Sequence, residues 1–315
     1  MHRSLKYARD WLAAGHPVVL AIVTKTWGSA PRPVGSLMVI HALGHFEGSV
    51  SGGCIEGSVI TEATAMMGQH ESKILDFTVA SADAWQVGLS CGGKIQIRLF
   101  PLGLKAVDAL TQALGAIKAR RHGQLQFAFS DGGVTFTDAP SPASTQLEID
   151  EFSLSLFISP RLALVIIGAV HISQYLTPMA IACGYDVALV DPRELFIADR
   201  QFEGATLVRD WPDDYLQTAP LDASSAIVTL THDPKLDDAA LKPALESNAF
   251  YIGSLGSKKT HAARCARLAQ VGYSAEQTAR IKGPVGLAIG AKSPAEIAVS
   301  IMADITREYR DTCAL

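Results

Sequence analysis

Apolar positions recur at helical spacing over residues 3–14, with Leu5, Ala8 and Leu12 on one face. The pattern then becomes a continuous aliphatic run, 18–24 (VVLAIVT), which reads as a buried strand. A Gly- and Pro-rich loop, 28–35, separates it from a second strand at 36–40. A helix is expected over 55–67, strands over 73–79 and 94–100, and a helix over 104–121. Segments 124–129 and 134–137, joined through Asp131-Gly132-Gly133, predict a hairpin, with one more strand at 152–158.

The rhythm changes beyond Ser159-Pro160-Arg161. Aliphatic strands at 162–167, 186–190, 206–208, 226–230 and 249–252 alternate with helices at 171–183, 213–217, 236–246, 258–270 and 294–310. Such alternation predicts a parallel sheet covered on both faces. The expected fold is α/β throughout: a mixed N-terminal domain over 1–159, then a Rossmann-like doubly wound domain over 160–315.

Hydrophobic residues make up 48% of the 315-residue chain and charged ones 18%, enough for two sizeable cores. The net charge of −4 argues against a nucleic-acid partner, which needs a basic surface. The one basic knot, 118–122 (KARRH), reads as the solvated end of a helix. The longest apolar run, 162–170, is too short to span a bilayer, so no membrane role is expected. Five cysteines without zinc-finger spacing fit a reducing cytoplasm better than a disulfide framework, and no signal peptide is read at the N-terminus.

Two of those cysteines share an unusual setting. Cys54 lies in Ser51-Gly52-Gly53-Cys54-Ile55-Glu56-Gly57, directly before the helix expected from 55, and Cys91 lies in Gly88-Leu89-Ser90-Cys91-Gly92-Gly93. Glycine permits positive φ and close approach of backbone to a ligand. A thiol at a helix start feels the positive end of the dipole and ionises more readily. Each cysteine is open to two readings, a small buried residue in a tight turn or a thiol for sulfur chemistry and thiophilic ligands; their pairing favours the second.

In the second half, ligands of a parallel sheet collect at the carboxyl ends of the strands. Those ends read Gly168-Ala169-Val170-His171-Ile172-Ser173, then Asp191-Pro192-Arg193, Thr231-His232-Asp233, and Gly253-Ser254-Leu255-Gly256-Ser257-Lys258-Lys259. Asp191 suits the acidic position of a dinucleotide fingerprint, but Val170 and Ser173 replace its second and third glycines. Valine puts a branched side chain where a pyrophosphate would meet backbone, which argues against NAD(P). The turn 253–259 is a better anion site, because a helix opens there with Ser257 and two lysines; an ordinary cap with solvated lysines is the competing reading. Thr231-His232-Asp233, with Asp237 beyond, reads as a polar-ligand or cation site or as plain loop hydrogen bonding, and Ser293-Pro294-Ala295-Glu296 as a capping box.

The ordered set GSAPRPVGS (28–36), SGGCIEG (51–57), GLSCGG (88–93), GA-x-H (168–171), DPR (191–193), THD (231–233), YIGSLGSKKTH (251–261) and PVGLAIGAKSPAEIAVSI (284–301) resembles the xanthine dehydrogenase accessory protein family, XdhC/CoxI. The resemblance covers roughly 15–100 and 160–305. It implies a molybdenum-cofactor chaperone that binds the molybdopterin form transiently. Such a protein supports sulfuration of the cofactor with a cysteine desulfurase and hands it to apo xanthine dehydrogenase or a related molybdenum hydroxylase. Under that resemblance Cys54 and Cys91 contact molybdenum through the cofactor or relay a persulfide, with no metal held by the protein alone. Arg32, Gly52, Gly53, Glu56, Gly92 and Gly93 surround the cofactor from the first domain. Gly168, His171, Asp191, His232, Gly253, Ser254, Ser257 and Lys258 do so from the second. A homodimer would shelter such a cofactor at an interface. Two other classes compete: a nucleotide-dependent enzyme (an NAD(P) oxidoreductase or a molybdopterin nucleotidyltransferase), and a ligand-free scaffold between desulfurase and hydroxylase.

Overall fold

The computed structural model describes residues 1–28, 32–53, 55–78, 94–139, 146–194, 202–219 and 221–313. They form two compact units, Met1–Pro160 and Arg161–Leu315.

The first unit runs α1 (His2–Ala13), β1 (Val18–Trp27), β2 (Leu37–His41), β3 (Phe46–Gly48), α2 (Glu56–Ala65), β4 (Lys73–Thr78), β5 (Lys94–Leu102), α3 (Ala106–Lys118), β6 (His122–Ala128), β7 (Val134–Ala139), β8 (Leu147–Ile149) and β9 (Ser153–Ile158). An antiparallel sheet in the order β3-β2-β1-β5-β4 forms its centre, and β7-β6-β9-β8 makes a second antiparallel sheet. Central β1 explains the unbroken aliphatic run. Leu20 and Ile22 enter a core shared with α1, α3 and the second sheet, while Val19, Ala21 and Val23 enter another closed by α2. Burial on both faces removes the polar alternation of a half-exposed strand.

The register gathers the sequence motifs. Ile22 pairs with Leu37, Met38 with Gly48, and Lys94 with both Trp27 and Thr78. The carboxyl ends of β1, β3 and β4 and the amino ends of β2 and β5 therefore share one end of the sheet. These strand ends flank 28–36, 49–55 and 79–93 in the sequence, the stretches that carry motifs 28–36 and 88–93 and most of 51–57.

The second unit runs β10 (Ala163–Ile167), α4 (His171–Ala182), β11 (Asp186–Val190), β12 (Thr206–Val208), α5 (Pro212–Thr218), β13 (Ser225–Thr229), α6 (Pro234–Glu246), β14 (Tyr251–Ser254), α7 (Lys258–Gln270), α8 (Ala275–Ala279), β15 (Ile281–Lys282) and α9 (Pro294–Cys313). Its sheet is wholly parallel in the order β12-β11-β10-β13-β14-β15, the doubly wound Rossmann arrangement. Leu164 and Ile166 pack on one face with Leu176, Ile301 and Ile305, whereas Val165 and Ile167 pack on the other with Leu241, Leu245 and Leu268. The order reverses between β10 and β13, so the turns after β10, β11, β13 and β14 surround the switch point.

Several elements differ from the expected bounds. The helix expected over 104–121 stops at Lys118, because Arg120 adopts φ 55°, outside the helical region. Strand β14 lies two residues later than expected. Its register is set by β13, Ala226 on Tyr251 through Thr229 on Ser254, which carries Gly253 into the sheet despite its poor strand propensity. Edge strands β3, β8 and β15 and the single-turn helix α8 are too short to give a periodic signal. Among the described residues no helix is long and apolar enough to cross a membrane.

Candidate functional site

In the first unit the site is built on one carboxylate. Glu56, in the first turn of α2, is 8% exposed and accepts five hydrogen bonds with resolved lengths. They come from the Ser49 hydroxyl at 2.7 Å and from the N–H groups of Val50, Ser51, Gly52 and Gly53 at 3.2, 2.9, 3.1 and 2.9 Å. The Ser51 hydroxyl adds a further short one. Burial by itself would raise the Glu56 pKa, but the hydrogen bonds from Ser51, Ser49 and the loop outweigh it and bring it down to about 2. Gly52 and Gly53 have φ of 83° and 122°. Apart from its chain neighbours, no atom of the described residues lies within 4 Å of a Cβ built on Gly53, so its backbone angle calls for glycine there.

This arrangement changes the roles expected from sequence. Glu56 faces its own loop, and the N–H groups of Gly52 and Gly53 are engaged by it. The loop is thus held in a fixed shape up to the residue before Cys54. Arg32 is exposed, at the same end of the sheet. Cys54, Cys91, Gly92 and Gly93 lie outside the described residues.

In the second unit the turn after β10 is closed by its own side chains. Asp191, fully buried after β11, accepts the Ala169 N–H at 2.8 Å and the Arg193 N–H at 3.0 Å. Arg193 adds two guanidinium bonds at 2.8 Å, one to each oxygen. Burial would raise the Asp191 pKa, yet these bonds hold it below the ordinary carboxylate range. The carboxylate at the acidic position of the fingerprint is thus engaged by its own surroundings. Gly168 has φ 109°, and a Cβ there would stand 2.7 Å from Thr231 Cγ2. Ser173, at the third glycine position, is fully buried and donates its hydroxyl to the Gly168 carbonyl. His171, the first residue of α4, is exposed.

The turns after β13 and β14 behave differently. His232 is exposed with φ 62°, Asp233 caps α6 through the Lys235 N–H at 2.9 Å, and Asp237 accepts the Thr231 hydroxyl at 2.7 Å. Gly253 is packed against Val285 and Tyr251, and Ser254 shares a hydroxyl contact with Thr229, so both belong to the core. Ser257 caps α7 through the Thr260 N–H at 3.1 Å. Among the described residues, the N–H groups of Gly256, Ser257, Lys258 and Lys259 find no hydrogen-bond partner, and neither lysine finds an ion-pair partner. A run of open donors at a helix start, with two free ammonium groups, is suited to an anion.

Beneath this turn lies a residue that sequence reading missed. Arg264 is 2% exposed, and its side chain runs back toward the start of α7, as helical side chains do. Nη2 donates to the Leu255 carbonyl at 2.8 Å and lies 3.8 Å from Asp237 Oδ2, while Nε and Nη1 are buried without a partner among the described residues. Burial lowers the Arg264 pKa and raises that of Asp237. In the sequence, Arg264 is one of several bases in a polar-looking helix, and no local signal sets it apart. Among the described residues no group of three or more His, Cys, Asp or Glu could hold a metal ion.

Residues 164–305 match the XdhC Rossmann domain, and residues 11–78 match the XdhC and CoxI family. The chain is 29% identical over 318 residues to the molybdenum cofactor insertion chaperone PaoD of Escherichia coli K12, covering 99% of this chain and 91% of that protein. It is 28% identical to a protein of Bacillus subtilis 168 described as a probable xanthine dehydrogenase component, covering 91% of this chain and 92% of that one. Among solved structures it is similar to one described as a xanthine dehydrogenase from Bacillus halodurans, with a TM-score of 0.77, 25% identity, and coverage of 98% of this chain and 96% of that one.

Proposed function

This chain belongs to the XdhC and CoxI family, and from that premise we propose that it is a maturation factor for the molybdenum cofactor. It takes the molybdopterin form as cargo and passes it to xanthine dehydrogenase or a related molybdenum hydroxylase. Similarity to an insertion chaperone over nearly the whole chain supports the maturation role. The observation that carries a cargo-binding reading is the open donor run at the start of α7. Four N–H groups without a partner among the described residues, Lys258, Lys259 and the Arg264 charge behind them match the chemistry of a terminal phosphate.

The first unit carries its own candidate groups. Cys54 and Cys91 are soft donors of the kind that suit a thiophilic metal or a sulfur relay. The ionised Glu56 fixes the backbone up to Gly53, the residue before Cys54 in the sequence. Sulfuration of the cargo with sulfur from a cysteine desulfurase belongs to the same reading. The nucleotide-enzyme alternative is disfavoured by Asp191, whose oxygens are taken up by Ala169 and Arg193.

The test is anaerobic incubation with molybdopterin, gel filtration, then mass spectrometry and molybdenum analysis of the protein fraction. Wild type retains cofactor, and a Lys258→Ala/Lys259→Ala variant retains it about tenfold less tightly, the scale of one lost charge-assisted contact. Failure of the wild type to retain cofactor, combined with tight titration by NAD, NADP or CTP, overturns the reading.

A further inference from the structure

Helix α7 carries a second chemistry below its amino end. Lys258, His261 and Cys265 recur at i, i+3 and i+7 and so share one face. His261 Nε2 lies 3.6 Å from Cys265 Sγ, within sulfur hydrogen-bonding reach. The other ring nitrogen, Nδ1, is buried without a partner among the described residues and faces Gly283, where an added Cβ would come within 2.2 Å of it. The ring therefore has little freedom to turn away from the sulfur. Cys265 itself is half-buried and can be reached from solvent. The neighbouring Arg264 guanidinium is buried, with two nitrogens that find no partner among the described residues. Burial, reinforced by Arg264, lowers the His261 pKa, so the imidazole is neutral at neutral pH.

From this geometry we infer that Cys265 and His261 form a thiol–imidazole pair that accepts sulfane sulfur from a persulfide donor. The inference rests on the cofactor-maturation reading and adds a sulfur-carrying residue to the helix whose start supplies the anion seat. The step balances without an external oxidant. The Cys265 proton passes to His261 Nε2, and the thiolate attacks the outer sulfur of a donor R–S–SH. The donor S–S bond breaks as the Cys265 S–S bond forms, and the donor leaves as a thiol after taking the proton back from His261. One persulfide and one thiol are consumed, and one of each is produced.

Cys183 provides an internal control, because it is exposed at the end of α4. The experiment exposes the full chain, under anaerobic conditions, to glutathione persulfide and maps each cysteine peptide by mass spectrometry. The expected result is one added sulfur on Cys265, gained faster than on Cys183. In His261→Gln that rate falls at least about 100-fold, the low end of general-base effects. The labelling rate of Cys183 in the same variant stays at the wild-type value, which reports an intact fold. Sulfur on Cys54 or Cys91 but never on Cys265 overturns the pair and leaves the maturation reading standing. Equal rates for Cys265 and Cys183, or no effect of His261→Gln, also overturn it. Loss of cofactor retention by the wild type in the molybdopterin assay strikes the maturation reading instead.

Discussion

Glu56 holds Ser51 twice: Oε1 accepts the Ser51 N–H at 2.9 Å, and Oε2 accepts the Ser51 hydroxyl. The Ser51 hydroxyl in turn accepts the N–H of Ile55, the residue just before α2, at 3.1 Å. One ionised side chain thus sets both the loop before Cys54 and the helix after it.

That loop makes acid stability a direct readout. The folded pKa of Glu56, about 2, is depressed below its ordinary value of 4.5, so its contribution is complete above pH 4.5 and is lost as pH falls through 2. The shift corresponds to about 3 kcal/mol. Urea denaturation of wild type should therefore weaken steeply between those pH values. Glu56→Gln, already weaker at pH 7, should show a shallower fall; an unchanged slope would remove Glu56 from this role.

Gly168 and Thr231 test the turn after β10. Gly168→Ala meets both a left-handed φ of 109° and a 2.7 Å approach to Thr231 Cγ2. The backbone part alone costs about 1–3 kcal/mol. Adding Thr231→Ser deletes the clashing methyl while keeping the hydroxyl bonded to Asp237, so the double variant should recover part of the lost melting temperature. No recovery would mean that the backbone angle alone accounts for the glycine.

His41 predicts a second pH dependence, at milder acidity. It is buried in β2 beside His16 and His45, with ring centroids 4.6 and 5.9 Å away, and Trp11 stacks edge-on at 5.1 Å. Nδ1 accepts the Leu43 N–H at 3.0 Å, a bond that protonation at that nitrogen would break. Burial first, then repulsion from His16 and His45, lowers its pKa below 6.5. The unfolded chain then binds more protons, so stability is full above pH 6.5 and falls as pH drops through the folded value. His41→Gln should flatten the change in melting temperature between pH 7.5 and 5.5, measured by circular dichroism.

Arg264 and Asp237 should respond unequally to substitution. Arg264→Met removes the bond to the Leu255 carbonyl and the counter-charge of Asp237, and should cost about 3–5 kcal/mol in urea denaturation. Asp237→Asn keeps an oxygen for the Thr231 hydroxyl at a carboxyl already biased toward its neutral form by burial, and should cost about 1 kcal/mol. Equal losses would show that the pair acts mainly as an ion pair.

The linear sequence by itself determined the alternation of the second unit. Strand Asp186–Val190 and helix Lys258–Gln270 stand where periodicity places them, because a parallel strand inside a covered sheet must be written as an aliphatic run between polar stops. It also marked Ser257 as the cap at the start of α7, since caps act locally. Only the tertiary structure decided which polar groups remain open. Asp191 is engaged by Ala169 and Arg193, Glu56 turns onto its own loop, and Arg264 is drawn under the β14 turn by the Leu255 carbonyl and Asp237. Their identities are visible in the sequence but their partners are not. A hydrogen bond between strand ends far apart along the chain exists only once sheet register has brought those ends together.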